Sequence, residues 1–135
     1  MELNPKDSIG RAKAPLSLNP LSAAIEQALA HHLGNRDYGP RNWRGAPVSA
    51  SVYIDAALRH IAAWYEGEER DPDGLHNLGA VMACCAILID AKEYGTLQDD
   101  RPAHSADGMR ARELLTQAVA SLQRSIKLRP GKLKP

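Results

Sequence analysis

Apolar positions recur at a helical period in four stretches of this chain, separated by segments rich in Gly, Pro, Asn and Asp. The first stretch sets Leu21, Ala24, Ile25, Ala28 and Leu29 on one stripe, with Asn19 as N-cap, Pro20 at the first helical position and Gly34 placed to end the helix. The second, Ser49 to Tyr65, places Ile54, Leu58, Ile61 and Tyr65 on one face and Asp55, Arg59 and Glu66 on another. Tyr53, Ala57, His60 and Trp64 form an adjoining stripe. The third starts near His76 and offers Leu78, Met82, Cys85 and Ile89 as a buried face. Beside that face, Gly79, Ala80 and Ala83 make a strip small enough for a helix or a ligand to come close. The fourth, about 109–127, carries Leu115, Ala118, Val119, Leu122 and Ile126.

These periods predict an all-α protein, a small bundle of about four helices in which the second and third form an antiparallel hairpin around the acidic turn "EGEERDPDG". Residues 1–18 have no period and read as an extended N-terminal arm. Residues 19–102 form the helical domain, and 103–135 hold the last helix and a basic tail. A chain with no Phe and much Ala builds its core from Leu, Ile, Val and Ala, which again suits close-packed helices.

Charge removes several function classes. The formal net charge of +1 gives no field for nucleic acid or for an anionic membrane, so no specific nucleic-acid partner is expected. No apolar run reaches the roughly 20 residues of a membrane span, and the N-terminus lacks a signal-peptide core, so a cytoplasmic protein without a membrane partner is expected. Cys84 and Cys85, the only cysteines, cannot build a disulfide framework or a four-ligand zinc site and read as small core residues.

Three groups of residues carry candidate chemistry. Glu66, Glu68, Glu69, Asp71 and Asp73 crowd hard oxygen donors into one turn, a composition that suits Mg²⁺ or Mn²⁺ and equally a solvated loop capping the next helix. His60 and His76 flank that turn and are placed to ligate metal, activate water or contact phosphate. The loop with Arg36, Tyr38, Arg41, Asn42, Trp43 and Arg44 pairs guanidinium forks with rings that can stack on a base, or else is an ordinary turn whose Trp43 packs on the bundle.

The motifs "KAPLSLNP", "YGPRNWR", "YIDAALRHIAAWYEGEERDPDG", "HNLGAVMACCAILIDA" and "DDRP" resemble, in this order, those of a phage and prophage family, the dATP/dGTP diphosphohydrolase N-terminal domain. The resemblance covers about residues 10–102. It implies an all-α fold related to MazG-like nucleotide pyrophosphohydrolases, which use Mg²⁺ held by helix carboxylates to split a nucleoside triphosphate into monophosphate and pyrophosphate. The positions it matches are Tyr38, Gly39, Asn42, Trp43, Asp55, Arg59, His60, Trp64, Glu68, Asp71, His76 and Asp90. From these positions together with the chemistry of the acidic turn and the arginine loop, which add Glu69 and Arg41, Glu68, Glu69 and Asp71 are expected to hold Mg²⁺ or Mn²⁺. His60 and His76 would handle the attacking water. Tyr38, Arg41, Asn42, Trp43 and Arg59 would bind a purine deoxynucleoside triphosphate, in a chain expected to form a homo-oligomer. The sequence departs from related ones at Asp37, where Lys is common, and at Gly79, where a second His is common. The second departure also leaves open a module that sequesters a nucleotide or cyclic-nucleotide signal without hydrolysis.

Overall fold

A computed structural model describes residues 1–103 and 110–127. The chain divides into two units, 1–100 and 101–135. The first contains α1 (Pro5–Arg11), α2 (Leu21–Tyr38), β1 (Val48–Ser49), α3 (Ala50–Tyr65), α4 (Asn77–Glu93) and β2 (Leu97–Gln98). The second contains α5 (Arg110–Lys127). The class is all-α, as the periods predict. The N-terminal residues are not wholly extended, because Asn4 caps α1 by accepting the Lys6 amide at 3.0 Å and Pro5 pre-sets its first turn.

Helices α3 and α4 form the antiparallel hairpin. Their outer ends are tied by a two-residue parallel ladder pairing Val48 with Leu97 and Ser49 with Gln98. The start of α3 therefore lies beside the end of α4. Asp100 closes the same end by accepting the Ser51 amide at 2.8 Å and the Ser51 hydroxyl, which satisfies an orphan donor in the first turn of α3 and holds the Asp100 carboxyl below its usual range. At the inner end, Gly67 (φ +101°) and Gly74 (φ +85°) turn the chain, and an antiparallel bridge joins Arg70 to His76. His76 is the N-cap of α4, its Nδ1 accepting the Leu78 amide at 3.1 Å.

Two boundaries of α2 differ from expectation. Pro20 takes the N-cap position in place of Asn19, and the helix passes through Gly34 to end at Gly39. Gly34 keeps helical angles, whereas Gly39 adopts φ +89° and returns its N–H to the Asn35 carbonyl.

Helix α4 lies between α2 and α3, and small residues make both contacts. A Cβ on Gly79 would stand 2.8 Å from the Glu26 carbonyl oxygen and 2.9 Å from its carbon, so α2 crosses α4 with backbone against backbone. Among the described residues, the buried apolar ones are Val48, Ala50, Ala57, Ala80, Ala83 and Ala91, and the largest fully buried side chain is Asn77. The small strip of α4 is thus its buried face. The expected face fails in part: Ile89 is 70% exposed and Cys85 is exposed, not a core residue. The stripes of α2 and α3 also turn outward, with Ile25, Leu29, Ile54, Leu58, Ile61 and Tyr65 all exposed. Close approach at Gly and Ala selects which face packs, and the bulkier aliphatic faces are left at the surface.

In the second unit, α5 carries Leu114, Leu115, Val119 and Leu122 exposed on an amphipathic helix. The expected first residue of this helix, Met109, and the basic tail lie outside the described residues. Among the described residues, no helix is long and apolar enough to cross a membrane.

Candidate functional site

The loop after α2 is held by one carboxylate. Trp43 donates its indole N–H to Asp90 Oδ2 at 2.6 Å, and Arg44 clamps the same carboxylate with Nε at 2.7 Å and Nη2 at 3.0 Å. The Arg44 fork, then the Trp43 donor, then the charges of Arg44 and Arg41 hold the Asp90 carboxyl at about 2, well below its ordinary value. Arg44 also lies 3.9 Å over the Tyr94 ring, and the Thr96 hydroxyl donates to the Trp43 carbonyl at 2.6 Å. Helix α4 and its C-terminal turn thereby fix the loop from the side opposite α2.

Arg41 is the product of that anchoring. Among the described residues it is the one non-glycine with left-handed backbone, φ +50°, a geometry costing roughly 1–2 kcal/mol for an L-residue. Its guanidinium makes no hydrogen bond or ion pair among the described residues, while its neighbour Arg44 commits Nε and Nη2 to Asp90. It lines a cavity of about 470 Å³ with Ala28, His31, His32, Asn35, Pro40 and Trp43. The Trp43 ring meets His31 at 5.4 Å between centroids, and burial pushes the His31 pKa down, so this imidazole is neutral near pH 7. Tyr38 and Asn42 face a second cavity, of about 340 Å³, with Val52, Tyr53, Ala56 and Cys84. Asp37, the residue that departs from related sequences beside Tyr38, pairs with Arg36 at 2.9 Å. Arg59 stands exposed on α3.

The acidic turn is the other end of the hairpin. Buried Asn77 organises it: its Nδ2 donates to the Glu68 carbonyl at 2.7 Å, its backbone N–H donates to the Glu69 carbonyl at 2.9 Å, and its Oδ1 meets His60 Nδ1 at 2.7 Å. Since Nδ2 is committed as donor, Oδ1 is the acceptor, so His60 carries its proton on Nδ1 and keeps a lone pair on Nε2. His76 is the opposite case. Its Nδ1 accepts the Leu78 amide and its Nε2 reaches Glu69 Oε2 at 3.0 Å, so both ring nitrogens are engaged. Asp71 Oδ1 accepts the amides of Asp73 and Leu75, which shapes the turn. Glu68 and Glu69 are exposed. Among the described residues, no three His, Cys, Asp or Glu side chains gather as a ready cage for a metal ion.

The structure places Glu68, Glu69, Asp71, His60 and His76 at or beside the one turn, pairing only His76 with Glu69 among them, and it places Tyr38, Arg41, Asn42 and Trp43 along the loop, divided between two cavities. It does not join the two groups within one chain. The loop is fixed to Asp90 and the turn to His76, and these lie about 21 Å apart along a helix rising 1.5 Å per residue. Sequence reasoning missed His31, His32 and Asn35, which face the first cavity from α2, and Glu26. Glu26 receives Arg70 at 2.8 Å, and that bond holds its carboxyl below the usual range. Placing Gly34 at the end of α2 hid the first three, because the helix had to continue to Tyr38 for Asn35 to join His31 and His32 on the same wall.

The sequence model of the family described as dATP/dGTP diphosphohydrolase, N-terminal, matches residues 3–101. No curated protein and no solved structure matches the chain.

Proposed function

Because the chain belongs to the dATP/dGTP diphosphohydrolase N-terminal family, we propose that it is a metal-dependent pyrophosphohydrolase of purine deoxynucleoside triphosphates, releasing dNMP and pyrophosphate. The observation that carries the binding half of this reading is Arg41. Its guanidinium is unpaired among the described residues, preset by a strained turn and placed at a cavity with His32, Asn35 and Trp43. Such a group is pre-organised to receive phosphate charge, and the charge it neutralises grows as the anhydride breaks. Tyr38 and Trp43 supply rings beside it.

The hydrolytic half rests on the turn. Mg²⁺ is commonly held by one or two carboxylates plus substrate phosphates, and Glu68 and Glu69 fit that donor set without a preformed cage. Bound there, the ion would supply Lewis-acid stabilisation of the departing pyrophosphate. His60 is the general base on this reading: with Nδ1–H held by Asn77, its Nε2 lone pair takes the proton of the attacking water. His76, its nitrogens both engaged, orients Glu69. Asp71 shapes the loop and retains Oδ2 as a further donor atom.

The two halves meet, we propose, between copies of the chain, with the turn of one copy facing the loop of another. The stripe Ile54, Leu58, Ile61 and Tyr65 on α3 supports this, since it is a helical apolar face left between 42% and 81% exposed. Gly79 does not favour sequestration over hydrolysis, because its missing side chain is explained by the crossing with Glu26.

Arg41→Ala and His60→Gln separate the halves. The first is expected to weaken dATP binding at least roughly tenfold, and the second to leave binding intact while lowering turnover about a hundredfold or more. Equal binding by wild type and Arg41→Ala overturns the assignment of the cavity, and full turnover by His60→Gln overturns the assignment of the base.

A further inference from the structure

The turn carrying Arg41 separates two cavities, and its side chains divide between them. Pro40, Arg41 and Trp43 line the first; Tyr38 and Asn42 line the second. The two differ in chemistry. The first is bordered by Arg41, His31, His32 and Asn35, cationic or strongly polar groups suited to phosphate. The second offers two tyrosine rings, Val52 and Ala56, with only an amide, a thiol and phenol hydroxyls as polar groups. A flat heterocycle with a few hydrogen-bonding atoms fits such a lining better than a polyanion does.

On the reading that a purine nucleotide binds at this loop, we propose that the second cavity takes the base and that Asn42 selects purines by donating its side-chain N–H to N7. Three features carry this. The Asn42 amide is half-buried and makes no side-chain hydrogen bond among the described residues, so its donors and acceptor are available to a ligand. Burial pushes the Tyr53 hydroxyl and the Cys84 thiol up, so both stay protonated near pH 7 and the pocket holds no anion that would repel a nucleotide. Asn42 is also the immediate neighbour of Arg41, so base and phosphates of one nucleotide can lie on either side of a single turn.

The chemistry of the amide explains why one pocket would take both purines. N7 is an acceptor in adenine and in guanine alike, and the amide NH₂ can donate to it in both. Next to N7, adenine presents an N6 donor and guanine an O6 acceptor. The amide oxygen accepts from the first; for guanine the amide turns so that its NH₂ lies between N7 and O6 and donates to both, with the amide oxygen pointing away. Pyrimidines have no ring nitrogen at this edge. Asn42 therefore discriminates ring class while tolerating both members.

The experiment uses the full chain in EDTA, where the nucleotide stays intact, and measures binding by titration calorimetry of dATP, dGTP, dCTP and the 7-deaza analogues of the two purines. Wild type is expected to bind dATP and dGTP about tenfold or more tightly than their 7-deaza forms, and Asn42→Ala is expected to bind each pair equally. Ala56→Leu, which fills the second cavity from α3, is expected to weaken dATP and 7-deaza-dATP alike. Equal wild-type affinity for dATP and 7-deaza-dATP overturns the role of N7 while leaving nucleotide binding in place. Undiminished binding by Ala56→Leu overturns the location of the base. Failure of wild type to bind any of the five nucleotides overturns the underlying functional reading, and this inference with it.

Discussion

Replacing Gly79 by alanine adds one methyl group, and the site has no room for it. The new carbon would stand 2.8 Å from the carbonyl oxygen of Glu26 and 3.0 Å from its Cβ, and two of the three nearest atoms are backbone. Only a shift of α2 against α4 relieves this, and overpacking of that kind costs about 1–3 kcal/mol. Alanine also gains about 1 kcal/mol of helix propensity over glycine, which offsets part of the penalty. Gly34 isolates the two effects, since it lies inside α2 and a Cβ added there would meet nothing within 4 Å. Gly34→Ala is expected to stabilise the chain by about 1 kcal/mol, and Gly79→Ala to fall about 1–3 kcal/mol below it, the propensity gain cancelling in the difference. Urea unfolding followed by far-UV circular dichroism measures both midpoints. Gly79→His, with a larger side chain at the same crossing, is expected to cost more than Gly79→Ala. If Gly79→Ala gains as much stability as Gly34→Ala, the backbone crossing is not what requires glycine, and Gly79 is not a packing residue.

The Asp90 carboxyl, held at about 2 against an ordinary 3.8, contributes stability that is complete above about pH 4 and is lost as the pH falls through the folded value. Asp90→Asn lacks that contribution throughout, so its melting temperature should lie below wild type near neutral pH and converge with it in acid. A constant gap would show that the clamp is not ionic. Asn77→Ala leaves the Glu68 carbonyl and His60 Nδ1 without their buried partner and is expected to cost about 1–3 kcal/mol by urea unfolding. A neutral substitution would mean that the turn is not organised by this amide. Leu58→Glu and truncation after Pro102 distinguish the apolar face of α3 from α5 as assembly surfaces. Leu58→Glu is expected to lower the mass measured by light scattering with helicity retained, and an unchanged mass excludes the α3 face.

Helix existence was legible because spacing alone reveals it, and Ala50–Tyr65 and Asn77–Glu93 begin within a residue of the positions read from Ser49 and His76. On α4 the strip Gly79, Ala80 and Ala83 was legible as a place of close approach, but that it would be buried in preference to the aliphatic face beside it was not. Hydropathy ranks Leu58 and Ile89 above Ala57 and Ala80, but interhelical distance at Gly79 and the alanines decides what is buried, and that distance is a property of two helices together. Candidate residues at the loop and turn were found from their chemistry. Their division into two groups was not, although His76 and Asp90 sit at opposite ends of one helix. The tautomers of His60 and His76 depend on Asn77 and Leu78, which no motif marks.

Hydrolysis between the α- and β-phosphates of a purine deoxynucleotide is the central claim. Incubating the full chain with dATP and with dGTP, with Mg²⁺ and with EDTA, and identifying products by ³¹P NMR tests it directly. With Mg²⁺, dNMP and pyrophosphate are expected in many turnovers per chain; in EDTA, the nucleotide should stay intact. Release of inorganic phosphate with dNDP, or stoichiometric binding with the nucleotide recovered unchanged under both conditions, would contradict it.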